Sequence, residues 1–348
     1  MRANFPSAPR LRSEGTAAAA VVQSVAKPRA RAVFVPAVKA LVSAGLLAYL
    51  LSRISLHDVV AAAAATSVLG YAAVALGLLV FLLLGTWRVY QIVRVFAPIS
   101  FIHVLGMYWV SVAFGAFTPG QLGELSLAYF LSRRGLDSSA SLAISAVDRV
   151  TTLATLVLLA AMGLVLYVPE GTGWWLWSLV LTLVLGATGL FVRPWRKAVR
   201  RVVERVAPGA IPFLEAFCRF FLAHPGRAAF NLLLGFARWV CAAFMLLVII
   251  VPLAPAPVSW TFVVVANAVA RLVTYVPVSI NGLGVLELSA VELFRGGGIP
   301  ADLTLTAFIV NRIIYYMFAV AMVLVWLWRH PRPQSEYSEK PAALNRPS

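Results

Sequence analysis

Two sets of polar groups recur at one spacing in an otherwise oily chain. Glu124 is followed 24 residues later by Asp148-Arg149, and Glu287 is followed at the same interval by Asn311-Arg312. Carboxylate, guanidinium and amide side chains grouped in this way support two kinds of chemistry. They can grip a charged headgroup through charge-assisted hydrogen bonds, where the planar fork of arginine suits phosphate. Alternatively, a carboxylate such as Glu124 or Asp148 can serve as general base while arginines hold a phosphate in place. Arg88, Arg238 and Arg271 lie in or beside apolar runs and join the candidate headgroup-binding residues. No metal chemistry is expected: His57, His103 and His224 are scattered, and Cys218 and Cys241 match no ligand spacing.

The element that must position these groups is a membrane domain. Of 348 residues, 61% are apolar and 12% charged, against roughly 25% charged in a soluble domain, which excludes a water-soluble enzyme. The mean hydropathy is +0.88. Lys and Arg outnumber Asp and Glu by 29 to 13, for a net charge of +16. These bases sit between apolar runs rather than on one soluble face. That distribution points to cytoplasmic loops beside anionic lipid and away from nucleic acid.

Long apolar runs at 34–53, 66–87, 99–117, 140–168, 174–193, 228–252, 258–280 and 303–328 read as membrane segments. Two shorter runs, 119–132 and 283–295, open on helix-breaking residues: Pro119, Gly120 and Gly123 in the first, Pro277, Asn281, Gly282 and Gly284 before the second. Basic residues in 88–98, at Arg133-Arg134, through 193–227 and at Arg329 and Arg332 belong inside under the positive-inside rule. One arrangement satisfies nearly all of them: an all-α polytopic protein with six full spans and two re-entrant hairpins entering from opposite faces. Residues 1–33 are then a disordered basic cytoplasmic tail, too long before the first apolar run to be a cleavable signal. Residues 329–348 form a second cytoplasmic tail. The segment 193–227, with arginines alternating with valines and then a run of phenylalanines, predicts one or two amphipathic helices on anionic lipid, or else a partner site.

The repeated Glu, the repeated polar-Arg pair, the Gly-rich breaks and an arginine beside a tryptophan in each half (Trp87-Arg88, Arg238-Trp239) make 34–168 and 174–328 two membrane repeats of inverted sense. Broken helices in inverted repeats are a recurrent transporter plan, with the substrate at the repeat interface. Asp148 and Arg149 fall on the order of 12 Å into their span at 1.5 Å per residue. Ionisable groups at such depth are functional candidates by default. Glu124 and Glu287 stand early in their half-helices, either as caps of their own helix ends or as partners of Arg149 and Arg312.

The run from Thr118-Pro119-Gly120-Gln121-Leu122-Gly123-Glu124 to Tyr129, the Asp148-Arg149 pair, and Pro277-x-Ser279-x-x-Gly282-Leu283-Gly284-Val285-x-Glu287 resemble the membrane region of the lysylphosphatidylglycerol synthase/flippase family. The likeness covers residues from about 35 to 328. In bifunctional members a soluble domain attaches lysine to phosphatidylglycerol and the membrane region moves the product to the outer leaflet. Other relatives are linked to isoprenoid-carrier sugars, hopanoids or glycolipids. Only the 20 residues 329–348 follow the last span, so translocation rather than synthesis is implied. Family members often carry bases where this chain has Leu127 and Leu286, which implies a less anionic or differently placed headgroup.

The expectation is therefore a lipid translocase of the bacterial inner (plasma) membrane, multi-pass with both termini cytoplasmic. It would move a phospholipid or lipid-linked headgroup between leaflets through two oppositely facing cavities. An intramembrane lipid or glycosyl transferase and an ion-coupled small-solute transporter are the alternatives. The glycines at 282–284 lack the Lys-Ser/Thr of a nucleotide-binding loop, and no cofactor is expected. Expected partners are membrane lipids, with a second copy of the chain or a separate synthase as candidate protein partners.

Overall fold

A computed structural model describes residues 56–117, 123–167, 193–275, 279 and 282–329, together with positions 41, 45, 48, 49, 52, 178 and 181. The expected spans 34–53 and 174–193 fall almost wholly outside the described residues. Both tails, and Pro119, Gly120, Pro277 and Asn281, also lie outside them. What is described is helical: α1 Leu56–Ala65, α2 Val68–Phe96, α3 Phe101–Phe117, α4 Gly123–Arg133, α5 Ser138–Tyr167, α6 Arg193–Val206, α7 Ile211–Ala223, α8 Pro225–Leu253, α9 Trp260–Val273, α10 Val285–Gly296 and α11 Ala301–Arg329. No strand occurs among the described residues.

Length sorts these helices. Four of the described helices, α2, α5, α8 and α11, are long and apolar enough to cross a membrane. At 1.5 Å per residue, 29 residues reach about 44 Å, beyond the ~30 Å hydrocarbon core. By the same rule α3, with 17 residues, reaches about 26 Å, and α10, with 12, about 18 Å. Both are shorter than that thickness. The short helices pair instead, α3 against α4 and α9 against α10.

Two boundaries differ from the expected ones. The stretch 88–98 is not a loop: α2 continues through Arg88 to Phe96. Nothing in that stretch breaks a helix until Pro98, which excludes helical backbone at the residue before it, so the stop falls at Ala97. The stretch after the first expected span is not a bare connection either, because its run of alanines forms α1. There α1 rests on α11, with Thr306 Oγ1 donating to the Val59 carbonyl at 3.3 Å. Residues 193–227 do give two helices, α6 and α7. α7 packs on α5, while α6 touches chiefly α7 and the turn at Pro208–Ala210.

The packing is reciprocal. α2 lies against α8, α3 against α11, α9 against α5, α1 against α11 and α7 against α5. Exchanging α1 to α5 for α7 to α11, in order, maps α3·α11 onto α9·α5 and α1·α11 onto α7·α5. Along the central pair, Gly70 neighbours Val248, Gly77 neighbours Met245 and Arg88 meets Asn231, so α2 and α8 run antiparallel.

Among the described residues two main apolar cores result, with a polar belt between them and two small satellite clusters beside them. On α2 one core ends at Leu82 and the other starts at Val89; on α5 the break falls between Val147 and Leu156; on α8 it falls between Ala228 and Trp239. The belt therefore holds Thr86, Arg88, Asp148, Arg149, Thr151, Thr152, Asn231 and Arg238. Outward-facing Leu69, Leu76, Leu233 and Trp328 are exposed, as side chains against lipid acyl chains would be.

Candidate functional site

Arg88 anchors the belt. It has no solvent exposure, yet its guanidinium is almost fully satisfied. Nη1 donates to Thr152 Oγ1 and Nη2 to Thr151 Oγ1, each at 2.9 Å, and Nε donates to Asn231 Oδ1 at 3.3 Å. Asn231 Nδ2 returns a bond to the Arg88 carbonyl at 2.8 Å. Nη2 also lies 3.5 Å from Asp148 Oδ1. A buried charge persists only when paired and hydrogen-bonded, and here four side chains do so. Two of them follow from one turn of helix: threonines three and four residues after Asp148 share its face of α5.

In front of this cluster lies a cavity of about 220 Å³. Its lining joins both halves of the chain: Tyr108 and Ser111 of α3, Asp148 and Arg149 of α5, Arg238 and Trp239 of α8, Arg271 of α9, Thr274 and Tyr275 beyond it, and Tyr315 of α11. Three guanidiniums face one carboxylate among these residues. Asp148, 19% exposed at its side chain, opens to the cavity, whereas its partner Arg88 stands behind the wall. Arg149 lies over the Tyr275 ring at 5.7 Å. Arg238 lies over Phe81 at 4.1 Å and beside Trp239 at 5.9 Å, and Arg271 approaches Trp239 from elsewhere at 6.0 Å. Tyr315 crosses to α3 by donating to the Val112 carbonyl at 3.1 Å.

The second polar set is arranged differently. Glu287 is buried at the start of α10, where Oε2 accepts from the Gly284 N–H and Oε1 meets Arg312 Nη2, both at 2.8 Å. The two readings of this carboxylate, cap and ion-pair partner, therefore hold together. The break before α10 needs glycine: Gly282 and Gly284 have φ of +70° and +80°, the left-handed region. Asn311 Nδ2 donates to the Ala307 carbonyl of its own helix at 2.9 Å.

Of the candidate headgroup residues, the structure thus brings Asp148, Arg149, Arg238 and Arg271 to one cavity. Arg88 supports it from behind, and Glu287 and Arg312 pair beside the α9–α10 break. Asn311, Glu287 and Arg312 are not among the lining residues. Gly123 opens α4, while the side chain of Glu124 lies outside the described residues. The described residues form this cavity with contributions from both halves of the chain.

Sequence reasoning did not single out Tyr108, Ser111, Asn231, Thr151, Thr152, Tyr275 or Tyr315. One signal could have pointed to the wall: Leu82-Leu83-Leu84-Gly85-x-x-Arg88 recurs as Leu232-Leu233-Leu234-Gly235-x-x-Arg238. Both glycines are closely covered, Gly85 by the Tyr108 hydroxyl and Gly235 by the Thr155 side chain, so a methyl group at either would collide with the neighbouring helix.

Among models of known families, the one described as the lysylphosphatidylglycerol synthase TM region matches residues 37–322. No curated protein matches the chain.

Proposed function

The chain belongs to the lysylphosphatidylglycerol synthase TM-region family, and from that premise we propose that it is a lipid translocase, carrying a polar headgroup between leaflets through the cavity where its halves meet. The observation that carries this reading is the cavity itself: a cationic, tyrosine-rich space lined from both halves and set within apolar helices. Arg238 is the fourteenth of 29 residues in α8, placing a charge midway along a spanning helix. A guanidinium there is costly unless it meets a ligand or a partner.

Inverted repeats are part of the proposal. They are supported by the reciprocal packing and by the recurrence of Leu-Leu-Leu-Gly-x-x-Arg on two antiparallel helices. Alternating access in this scheme is a rocking of one half against the other, with α3–α4 and α9–α10 as hairpins from opposite faces. Three guanidiniums favour an anionic headgroup despite Leu127, which lines the same cavity, and Leu286. The protein would alter no covalent bond, and would sit in the bacterial inner membrane with both termini cytoplasmic.

The test is reconstitution of the full chain in vesicles bearing a fluorescent lipid in one leaflet. Wild-type protein is expected to move at least one anionic phospholipid faster than protein-free vesicles do, and Arg149→Ala to abolish the gain. Equal, slow movement of every lipid class by wild type and variant would defeat the proposal.

A further inference from the structure

The charges around the cavity do not balance within the protein. Arg88 faces Asp148 and Arg312 faces Glu287. Arg238 and Arg271 have no carboxylate within ion-pair distance among the described residues; their contacts are with the faces of Phe81 and Trp239. Aromatic faces steady a cation without neutralising it. The charges of Arg238 and Arg271 are thus uncancelled, and both converge on Trp239.

Unused donors collect at the same place. Arg238 Nε, Arg271 Nε, Trp239 Nε1 and Ser111 Oγ are all buried without a hydrogen-bond partner, and all four residues line the cavity. Buried polar atoms are satisfied in the large majority of cases, so four orphans around one space mark where acceptor atoms of a ligand belong. The orphan acceptor among the lining residues is Asp148 Oδ1, which already faces Arg88 Nη2 at 3.5 Å. The space is also small: about 220 Å³, below the roughly 300–1,000 Å³ of drug-sized ligand sites. A phosphate with its hydrogen-bonding shell fits.

We infer that the ligand is a compact phosphate dianion, a phosphomonoester headgroup rather than a singly charged phosphodiester or a zwitterion. The assignment deepens the translocase reading and rests on it for the lipid source of the phosphate. One phosphomonoester in its dianionic form cancels the two surplus guanidiniums and offers three acceptor oxygens to the orphan donors.

The test measures binding to the full-length protein in neutral detergent, read by Trp fluorescence quenching and by thermal shift, with acyl-matched phosphatidate, phosphatidylglycerol and phosphatidylcholine. At pH 8 phosphatidate is expected to bind at least tenfold more tightly than phosphatidylglycerol. The second ionisation of a phosphomonoester falls near pH 6, so this advantage should shrink at pH 5.5 while phosphatidylglycerol binding stays unchanged. Arg238→Gln or Arg271→Gln should each cut phosphatidate binding about tenfold and bring the two lipids level, with phosphatidylglycerol binding reporting that the variants are folded. Arg295→Gln, on the exposed end of α10, should change nothing.

Equal binding of phosphatidate and phosphatidylglycerol at pH 8, or a preference indifferent to pH, overturns the dianion. Inorganic phosphate separates the sources: weak competition assigns a lipid headgroup. Binding of inorganic phosphate as tight as that of phosphatidate keeps the dianion but removes the lipid. Leaflet transfer of phosphatidylglycerol without any phosphatidate preference sinks this inference alone. Phosphatidate binding without transfer of any lipid sinks the translocase alone.

Discussion

Arg88 and Arg238 occupy the same place in a repeated heptapeptide and do opposite things. Arg88 is closed off by two threonines, an asparagine and an aspartate, whereas Arg238 faces a cavity with its Nε unmet. Removing one partner of a buried charged pair typically costs about 3–5 kcal/mol, because the other is left uncompensated. Arg88→Ala should therefore lower detergent-solubilised stability by about that much, seen as a large fall in Tm, since Asp148 and Asn231 lose their partner. Lysine should not rescue it, having one compact ammonium where three separate donors are used. Arg238→Gln should leave Tm nearly unchanged, or raise it, while lowering lipid transfer. If both variants destabilise equally, the division between supporting and ligand-facing arginine is wrong. The sequence made both arginines visible as charges in oily surroundings, but not which was satisfied. That depends on Thr151, Thr152 and Asn231, ordinary residues whose role appears only once α2, α5 and α8 are packed together.

At the scale of elements, the α9–α10 break is the best-defined device. Gly282 has no room for a side chain, since a Cβ there would lie 2.8 Å from Thr274 Cγ2, and its φ of +70° disfavours any other residue. Glu287 then ties the new helix to its own first turn and to α11. Glu287→Gln keeps an acceptor for Gly284 but loses the ion pair. Glu287→Ala loses both, a cap worth about 1 kcal/mol in addition to the pair. The alanine variant is accordingly expected to melt lower than the glutamine variant in a thermal-shift series; equal melting would show that the cap contributes nothing. This break was legible beforehand because Asn, Gly and Glu at fixed offsets mark a helix start. The reach of α2 was not. Arginine in an apolar stretch reads as the end of a span, and only its burial against α5 and α8 shows that the helix continues. The heptapeptide repeat was also obscured, because matching Trp87-Arg88 to Arg238-Trp239 pairs the residues in reverse order rather than in register.

Among the described residues two main cores flank a polar belt, with α2, α5 and α8 running through both. The inverted arrangement makes a topological prediction. Single cysteines at Gln121 and Leu283, probed in sealed inside-out and right-side-out vesicles with a membrane-impermeant maleimide, should react from opposite sides; reaction from one side would remove the inversion. Fold class could be read from hydropathy and charge, which act locally along the chain. The shared cavity could not, because α3, α5, α8, α9 and α11 contribute to it from positions 108 to 315.

The claim that a lipid headgroup enters this cavity is tested most directly by photolabelling. Wild-type protein in vesicles would be irradiated with a phosphatidate whose small photoreactive group sits on an acyl chain next to the glycerol, and the modified peptides would be identified by mass spectrometry. The account predicts labelling at Tyr108, Tyr275 and Tyr315, residues from both halves that face one another across the cavity, with loss of that labelling in Arg238→Gln. Labelling confined to lipid-facing positions such as Leu76 and Leu233, and unchanged in the variant, would contradict it.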